Sequence, residues 1–357
     1  MSASSDWMIY GANGYTGELV AEEAVARGIR PVLAGRRREA LAPLADRLGC
    51  ELRVFDLSSP QELARNLGGV RALLLCAGPF SRTSRPALDA CLAAGVHYLD
   101  ITGEISVFEA CHGRGDEAAR AGCVVIPGVG FDVVPSDCLA ASLARALPGA
   151  TELTLAWYGA GSASKGTAKT MLEGIPKGGA IRKNGVITPV PLAWKTADIP
   201  FHDKTRRAVT IPWGDVSTAF HSTGIPNIEV YMAQPPSMIR AMKLVRPFRG
   251  LLGLDPVQRV LARRIDRRVQ GPDAEVRASA RSELWGRVRD GAGGEVEGTL
   301  TTPEGYRLTV LSSLASVTRL LAGGVAPGAH TPSSAFGADF ITTIEGCTLR
   351  VPVRRAA

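Results

Sequence analysis

The sequence has no Cys-x-x-Cys pair, no apolar run long enough to span a membrane, and none of the short signatures of the commonest hydrolases. Its seven cysteines, at 50, 76, 91, 111, 123, 138 and 347, are scattered, mostly inside apolar segments such as Leu75-Cys76-Ala77. That argues against a zinc site of cysteines and for buried, reduced thiols in a cytoplasmic protein; no metal is expected. The opening residues, Met1-Ser2-Ala3-Ser4-Ser5-Asp6, show neither a basic n-region nor an apolar h-region, so no secretory signal is expected. G-x-S-x-G, H-E-x-x-H and G-K-[ST] do not occur, which removes serine hydrolase, zincin and P-loop readings. No Tyr is followed by Lys four residues later, so the short-chain dehydrogenase proton relay is missing in its usual form.

What is present starts at residue 11. The apolar run Trp7-Met8-Ile9-Tyr10 leads into Gly11-Ala12-Asn13-Gly14-Tyr15-Thr16-Gly17, and a helical pattern of Leu19, Val20, Ala24 and Val25 follows. Strand, glycine turn and helix in this order form the opening of a dinucleotide-binding domain. Gly11 permits the tight turn, Gly14 lets backbone approach a pyrophosphate, and Gly17 lets the helix pack on the sheet. The helix N-terminus then presents N–H groups and a positive dipole end to phosphate.

The next strand candidate, Pro31-Val32-Leu33-Ala34, runs into Gly35-Arg36-Arg37-Arg38. An NAD site usually places an acid there to bond the ribose 2′-OH. Here the first acid is Glu39, and guanidinium groups that match a phosphate fork occupy the position. The expected cofactor is therefore NADP(H), with Arg36 and Arg37 on its 2′-phosphate. A solvated basic turn is the competing reading.

The chain has 357 residues, 45% hydrophobic and 21% charged, enough for two domains with separate cores. Short apolar strands are expected at 7–10, 31–34, 51–55, 71–75, 97–100 and 123–126, with helices near 16–27, 39–48, 60–66, 86–94 and 107–121. Buried parallel strands alternating with helices make a doubly wound Rossmann-type sheet. One more helix is expected to about Leu147. Longer, partly alternating strands follow at 152–158, 207–211, 228–233, 279–289 and 295–302, as in a mostly antiparallel sheet of a second α+β domain. Stretches 159–166 and 174–200 look like loops, and a last helix pattern runs from Thr331-Pro332-Ser333 to about Glu345.

Several longer stretches resemble the saccharopine dehydrogenase-like family, nearest to its trans-acting enoyl reductase branch. They are Gly11–Gly17, Ala34-Gly35-Arg36, Ala77-Gly78-Pro79-Phe80, Tyr98-Leu99-Asp100-Ile101-Thr102-Gly103-Glu104, Gly130-Phe131-Asp132-Val133-Val134-Pro135-Ser136-Asp137 and Thr331-Pro332-Ser333-Ser334-Ala335-Phe336-Gly337. One departure stands out: Ser164-Lys165-Gly166-Thr167 occupies the place of the family's Ser-Gly-Gly-Thr. The resemblance implies a discontinuous cofactor domain, 1–130 with 331–357, around a substrate domain at 131–330. It implies fold and cofactor better than substrate, because members of such families act on different bonds.

The expected cofactor contacts are Gly11, Asn13, Gly14, Tyr15, Thr16 and Gly17 in the turn, then Arg36 and Arg37, and Asp56 and Leu57 at an adenine edge. Ala77, Gly78, Pro79 and Phe80 end the fourth strand, where ribose and nicotinamide belong; Thr102, Gly103 and Glu104 end the fifth. For each, a plain connecting turn is the alternative. The leading activity is NADPH-dependent reduction of an activated C=C bond in an enoyl substrate, free or carrier-bound. Imine or dehydroamino-acid reduction, and a non-catalytic NADP(H) sensor, stay open. A proton donor is needed. The candidates are Lys165, Lys169, Tyr158, Asp132 and His221, and Lys165 ranks first, as a lysine in a glycine-rich loop. Asp132 could instead cap the next helix, His221 could lie on a helix surface, and Tyr158 could belong to the core.

The net charge of +7 is concentrated. Residues 236–270 hold nine basic and two acidic side chains, an excess equal to that of the whole chain. Apolar residues interleave with the basic ones, and Val257, Val260, Leu261 and Ile265 fit helical spacing. A solvated helix face, an anionic membrane surface and an acidic carrier protein compete as readings; nucleic acid is disfavoured, since Phe248 is the segment's one aromatic. A cytoplasmic protein, peripheral to a membrane on the second reading, is expected, and a homodimer is left open.

Overall fold

The computed structural model describes residues 6–159 and 163–351. The opening residues 1–5, the centre of the expected loop at 159–166 and the end of the expected 331–357 return lie outside them.

The first third alternates short strands and helices: β1 (Trp7–Tyr10), α1 (Tyr15–Ala26), β2 (Val32–Gly35), α2 (Arg38–Leu48), β3 (Leu52–Val54), α3 (Pro60–Asn66), β4 (Ala72–Leu75), α4 (Phe80–Ala94), β5 (His97–Asp100), α5 (Ile105–His112), α6 (Gly115–Arg120) and β6 (Val124–Ile126). The middle of the chain follows as α7 (Val134–Ala146), β7 (Ala150–Gly159), α8 (Lys165–Gly174), β8 (Gly179–Lys183), β9 (Val186–Val190), β10 (Thr196–Pro200), β11 (Thr205–Thr210), α9 (Asp215–Thr223) and β12 (Asn227–Ala233). The chain continues through α10 (Pro236–Val245), α11 (Arg249–Leu252), α12 (Asp255–Arg268), α13 (Ala274–Ser279), β13 (Arg281–Asp290), β14 (Glu295–Pro303), α14 (Gly305–Leu321), β15 (Gly328–Ala329), α15 (Pro332–Phe336) and β16 (Thr348–Arg350).

Two compact units result. The first comprises Met1–Val134 and Tyr306–Gly337, the second Pro135–Gly305 and Ala338–Ala357. Both divisions differ from the sequence expectation. The return to the first unit begins earlier, because α14 and β15 belong to it. It also ends earlier, because β16 pairs with β14 in the second unit's sheet.

The first unit holds a seven-stranded parallel sheet in the order β15-β6-β5-β4-β1-β2-β3. This is the doubly wound arrangement with one short strand added beside β6. Its strands are apolar because both faces are covered: every residue of β1, β2 and β4 is buried. A fully buried Leu or Ile contributes about 1.5–3 kcal/mol, so Leu73, Leu74 and Leu75 alone anchor β4 firmly. The expected helix at 107–121 is two helices, α5 and α6, broken at Gly113-Arg114, and α4 starts six residues before the expected 86.

The second unit holds a nine-stranded sheet, β10-β11-β12-β7-β13-β14-β16 with β8 and β9 appended. It is mostly antiparallel, with one parallel pairing: β7 pairs parallel with β12 and antiparallel with β13. Gly286 and Gly298 face each other across β13 and β14. A β-carbon on Gly286 would come within 2.7 Å of Leu143 Cδ1, so these glycines make room for α7 against the sheet. The expected loop at 174–200 carries β8, β9 and β10 instead. The expected C-terminal helix is short. A Thr331/Ser334 capping box starts α15, Gly337 at φ +93 ends it, and a 3-10 stretch continues through 338–343.

Candidate functional site

The candidate site is built at the carboxyl ends of β1, β2, β4, β5 and β6, where an open parallel sheet receives its ligand. Gly11 leaves β1 at φ +87, and a β-carbon there would lie 2.7 Å from the Ala77 nitrogen at the end of β4. No other residue fits this crossing. A β-carbon on Gly17 would run into the Gly11 carbonyl oxygen, so α1 sits directly on the turn. The Gly14 N–H donates to that same oxygen at 2.9 Å. Gly14 is the N-cap of α1, and no side chain caps the helix there. An uncapped helix start on a glycine cradle fits a pyrophosphate. Asn13 and Thr16 are half-buried beside it, whereas the Tyr15 ring is engaged edge-on by Tyr306, 5.0 Å away.

Arg36 and Arg37 follow β2, both exposed, and neither makes an ion pair among the described residues. Arg37 is the N-cap of α2. Across the strand ends, the Ser58 N–H donates to Asp56 Oδ1 at 2.8 Å. Hydrogen bonds from Ser58, with the Arg36 charge adding, hold the Asp56 carboxyl below its usual value. The Leu57 side chain is packed in the core, which leaves only its backbone for a ligand. The Tyr10 hydroxyl donates to the Phe55 carbonyl at 3.0 Å and ties β1 to this edge.

After β4, Thr83 Oγ1 donates to the Ala77 carbonyl at 2.6 Å, and the Phe80 N–H donates to Glu104 Oε1 at 3.0 Å. Glu104 therefore holds the start of α4, a role the sequence did not indicate. Gly78 is exposed between Ala77 and Pro79. Thr102 is fully buried; its hydroxyl accepts from the Glu104 N–H at 3.1 Å, so its side chain organises the turn.

Asp100 organises that turn further, and sequence reasoning did not single it out. Its carboxylate accepts from the Tyr98 hydroxyl (2.7 Å), the Thr102 N–H (3.0 Å) and the Gly128 N–H (2.8 Å). Burial outweighs these donors and pushes its carboxyl up to about 6. An acid closing an apolar strand was the only signal available.

Asp132 stands apart from these bonded groups. Among the described residues its carboxylate has no hydrogen-bond or ion-pair partner, so it does not cap α7. It lies over Gly103, whose missing β-carbon would come 2.5 Å from Oδ2. Burial pushes its carboxyl from 3.8 to about 7. The loop carrying it is fixed by α14: the Phe131 N–H donates to Thr309 Oγ1 at 3.0 Å, and Ser312 Oγ donates to the Val129 carbonyl at 2.7 Å.

The other proton-donor candidates lie in the second unit. Lys165 is exposed at the first position of α8, a helix capped by Ser164, and so is not in a loop. Lys169 pairs with Asp266 at 2.6 Å. Arg206 lies 3.9 Å from the centre of the Tyr158 ring, and His221 is exposed in the last turn of α9. No group of three or more His, Cys, Asp or Glu side chains fit to hold a metal occurs among the described residues.

Residues 11–119 match the family described as NAD(P)H-binding. The trans-acting enoyl reductase of Mycobacterium leprae is 36% identical over 143 residues, 37% of this chain and 34% of that protein. The trans-acting enoyl reductase of Mycobacterium tuberculosis is 35% identical over 143 residues, with the same coverage of 37% and 34%. The matched stretch is thus about a third of the length of these relatives. Apo saccharopine dehydrogenase (L-Glu forming) from Saccharomyces cerevisiae superposes with a TM-score of 0.68 at 12% identity, over 97% of this chain and 99% of that one, a likeness of fold. The chain has an NAD(P)H-binding Rossmann-type domain in a saccharopine dehydrogenase-like fold, and its sequence is similar to that of the trans-acting enoyl reductases.

Proposed function

We propose that the protein is an NADPH-dependent reductase of an activated C=C bond, acting on an enoyl thioester. The observation that carries the cofactor choice is the pair of exposed, unpaired guanidinium groups, Arg36 and Arg37, at the edge where an NAD site keeps an acid. The Gly11–Gly17 cradle and the uncapped start of α1 would hold the pyrophosphate, and the turns at 77–80 and 102–104 would border the nicotinamide end. Bound NADPH supplies the hydride.

A side chain or water must supply a proton to the α carbon. Asp132 is the group poised for it, a partly buried carboxyl near 7 that is not consumed by an internal hydrogen bond. Glu104 and Asp100 hold the turn beneath it, each bonded to backbone N–H groups. The similarity to the trans-acting enoyl reductases supports the C=C reading over imine reduction, for which the saccharopine dehydrogenase-like fold is the only support. Titration with NADPH, followed by turnover assays with enoyl thioesters, imines and ketones, tests it. Oxidation with enoyl thioesters supports the proposal. Binding of NADPH without its oxidation by any of these substrates makes the protein a sensor, and NADPH oxidation with imines alone makes it an imine reductase.

A further inference from the structure

We propose that the face formed by α10, α11 and α12 docks the protein on an anionic phospholipid surface. Six large apolar side chains there, Met238, Leu244, Phe248, Leu251, Leu254 and Val260, are each half or more exposed. Leu244 is the extreme, at 72%. Single exposed apolar residues need no explanation, but six within 23 consecutive residues do.

Eight cations of the same segment lack an acidic partner among the described residues. Arg240, Lys243, Arg249, Arg259, Arg263, Arg264, Arg267 and Arg268 are exposed, and none makes an ion pair with an acidic side chain among the described residues. Asp266, next to Arg267 in sequence, is taken by Lys169 of α8. Arg240 sits one turn before Leu244, and Arg264 one turn after Val260, so charge and apolar bulk share a face. The opposite face is fixed to the unit. Ile239 and Met242 pack with Ala193 and Val209, and the Arg246 guanidinium donates to the carbonyls of Leu192 and Ala193. The Gln258 amide donates to the carbonyls of Leu172 and Leu252. These contacts anchor α10 and α12 to the second unit.

The pattern selects the occupant. A second copy would bring the same excess of positive charge against itself. A protein partner would have to desolvate cations interleaved with the apolar anchors, whereas interface cores are depleted in charge. A bilayer surface takes both: apolar side chains enter the acyl boundary while the Arg and Lys stems extend to phosphate headgroups.

The test is sedimentation of the full chain with vesicles of phosphatidylcholine, with and without phosphatidylglycerol. Wild type is expected to bind only the anionic vesicles and to release as salt rises. Reversing Arg263, Arg264, Arg267 and Arg268 to Glu should weaken binding by about tenfold or more. Replacing Leu244 with Gln, Phe248 with Ser and Leu251 with Gln keeps the charge and should weaken it by a similar factor. Reversing Arg65, Arg82, Arg85 and Arg120 to Glu removes as much charge from elsewhere and should leave binding intact. NADPH titration and thermal melting verify that each variant is folded. No binding by wild type, an apolar variant that binds as well as wild type, or equal loss in the charge-matched control overturns the proposal. So does capture of an acidic acyl carrier protein without vesicle binding, which assigns the face to a protein.

Discussion

The carboxylate of Asp132 lies over Gly103, so close that a β-carbon on the glycine would come 2.5 Å from Oδ2. Two loops after neighbouring strands thus meet at a carboxyl and a bare backbone. Gly103→Ala should displace the acid without touching the Gly11–Gly17 cradle. Turnover should fall about a hundredfold, the range for losing a positioned proton donor, while the Kd for NADPH stays within a factor of two to three, as read by fluorescence titration.

The pH dependence of Asp132 has a defined sign. Its carboxyl moves from 3.8 to about 7 on folding, so the native state holds the proton more tightly than the unfolded chain. Stability contributed by the neutral acid is then lost as pH rises from about 4 to 7. Asp132→Asn should melt higher than wild type above pH 7 and lose that advantage toward pH 4. If Asp132 donates the proton, wild-type turnover should decline above pH 7, and the variant should lose both activity and that limb. Lys165→Ala should keep both. A Lys165 variant as impaired as Asp132→Asn would return the role to the lysine.

Replacing Arg36 and Arg37 with Ala should weaken NADPH by about tenfold or more and leave NADH nearly unchanged, because only the former carries the 2′-phosphate. Paired titrations with the two cofactors read the difference. Equal losses would make these arginines a solvated turn.

The loop bearing Asp132 depends on a helix that sequence reading passed over. Ser312→Ala removes the donor to the Val129 carbonyl and should cost about 1–3 kcal/mol, read as a lower denaturation midpoint. Turnover should fall more than cofactor affinity.

The parallel sheet was legible because its strands are buried on both faces and read as uninterrupted apolar runs, as Leu73-Leu74-Leu75 does. The start of α1 was legible because the glycine turn is chemically constrained. Helix α14 was not: Leu308, Val310, Leu311, Ser312, Ser313, Leu314, Ser316 and Val317 are all buried, so it lacks the one-sided stripe that marks a surface helix. The strands β8 to β10 were hidden by Pro189, Pro191 and Pro200, which read as loop residues but sit at or near strand ends. Lys165 was misplaced because Gly166 suggested a loop, while the Ser164 cap one residue before it starts a helix. Asp100 needed the structure, since one of its three donors, the Gly128 N–H, comes from 28 residues further along the chain.

Reduction of an α,β-unsaturated acyl thioester with deuterium-labelled NADPH distinguishes C=C reduction from the other readings of the site. A saturated product with deuterium on the β carbon is expected, formed faster with NADPH than with NADH and lost in Asp132→Asn. NADPH that binds but is not consumed, or label that enters only imine substrates, would contradict C=C reduction.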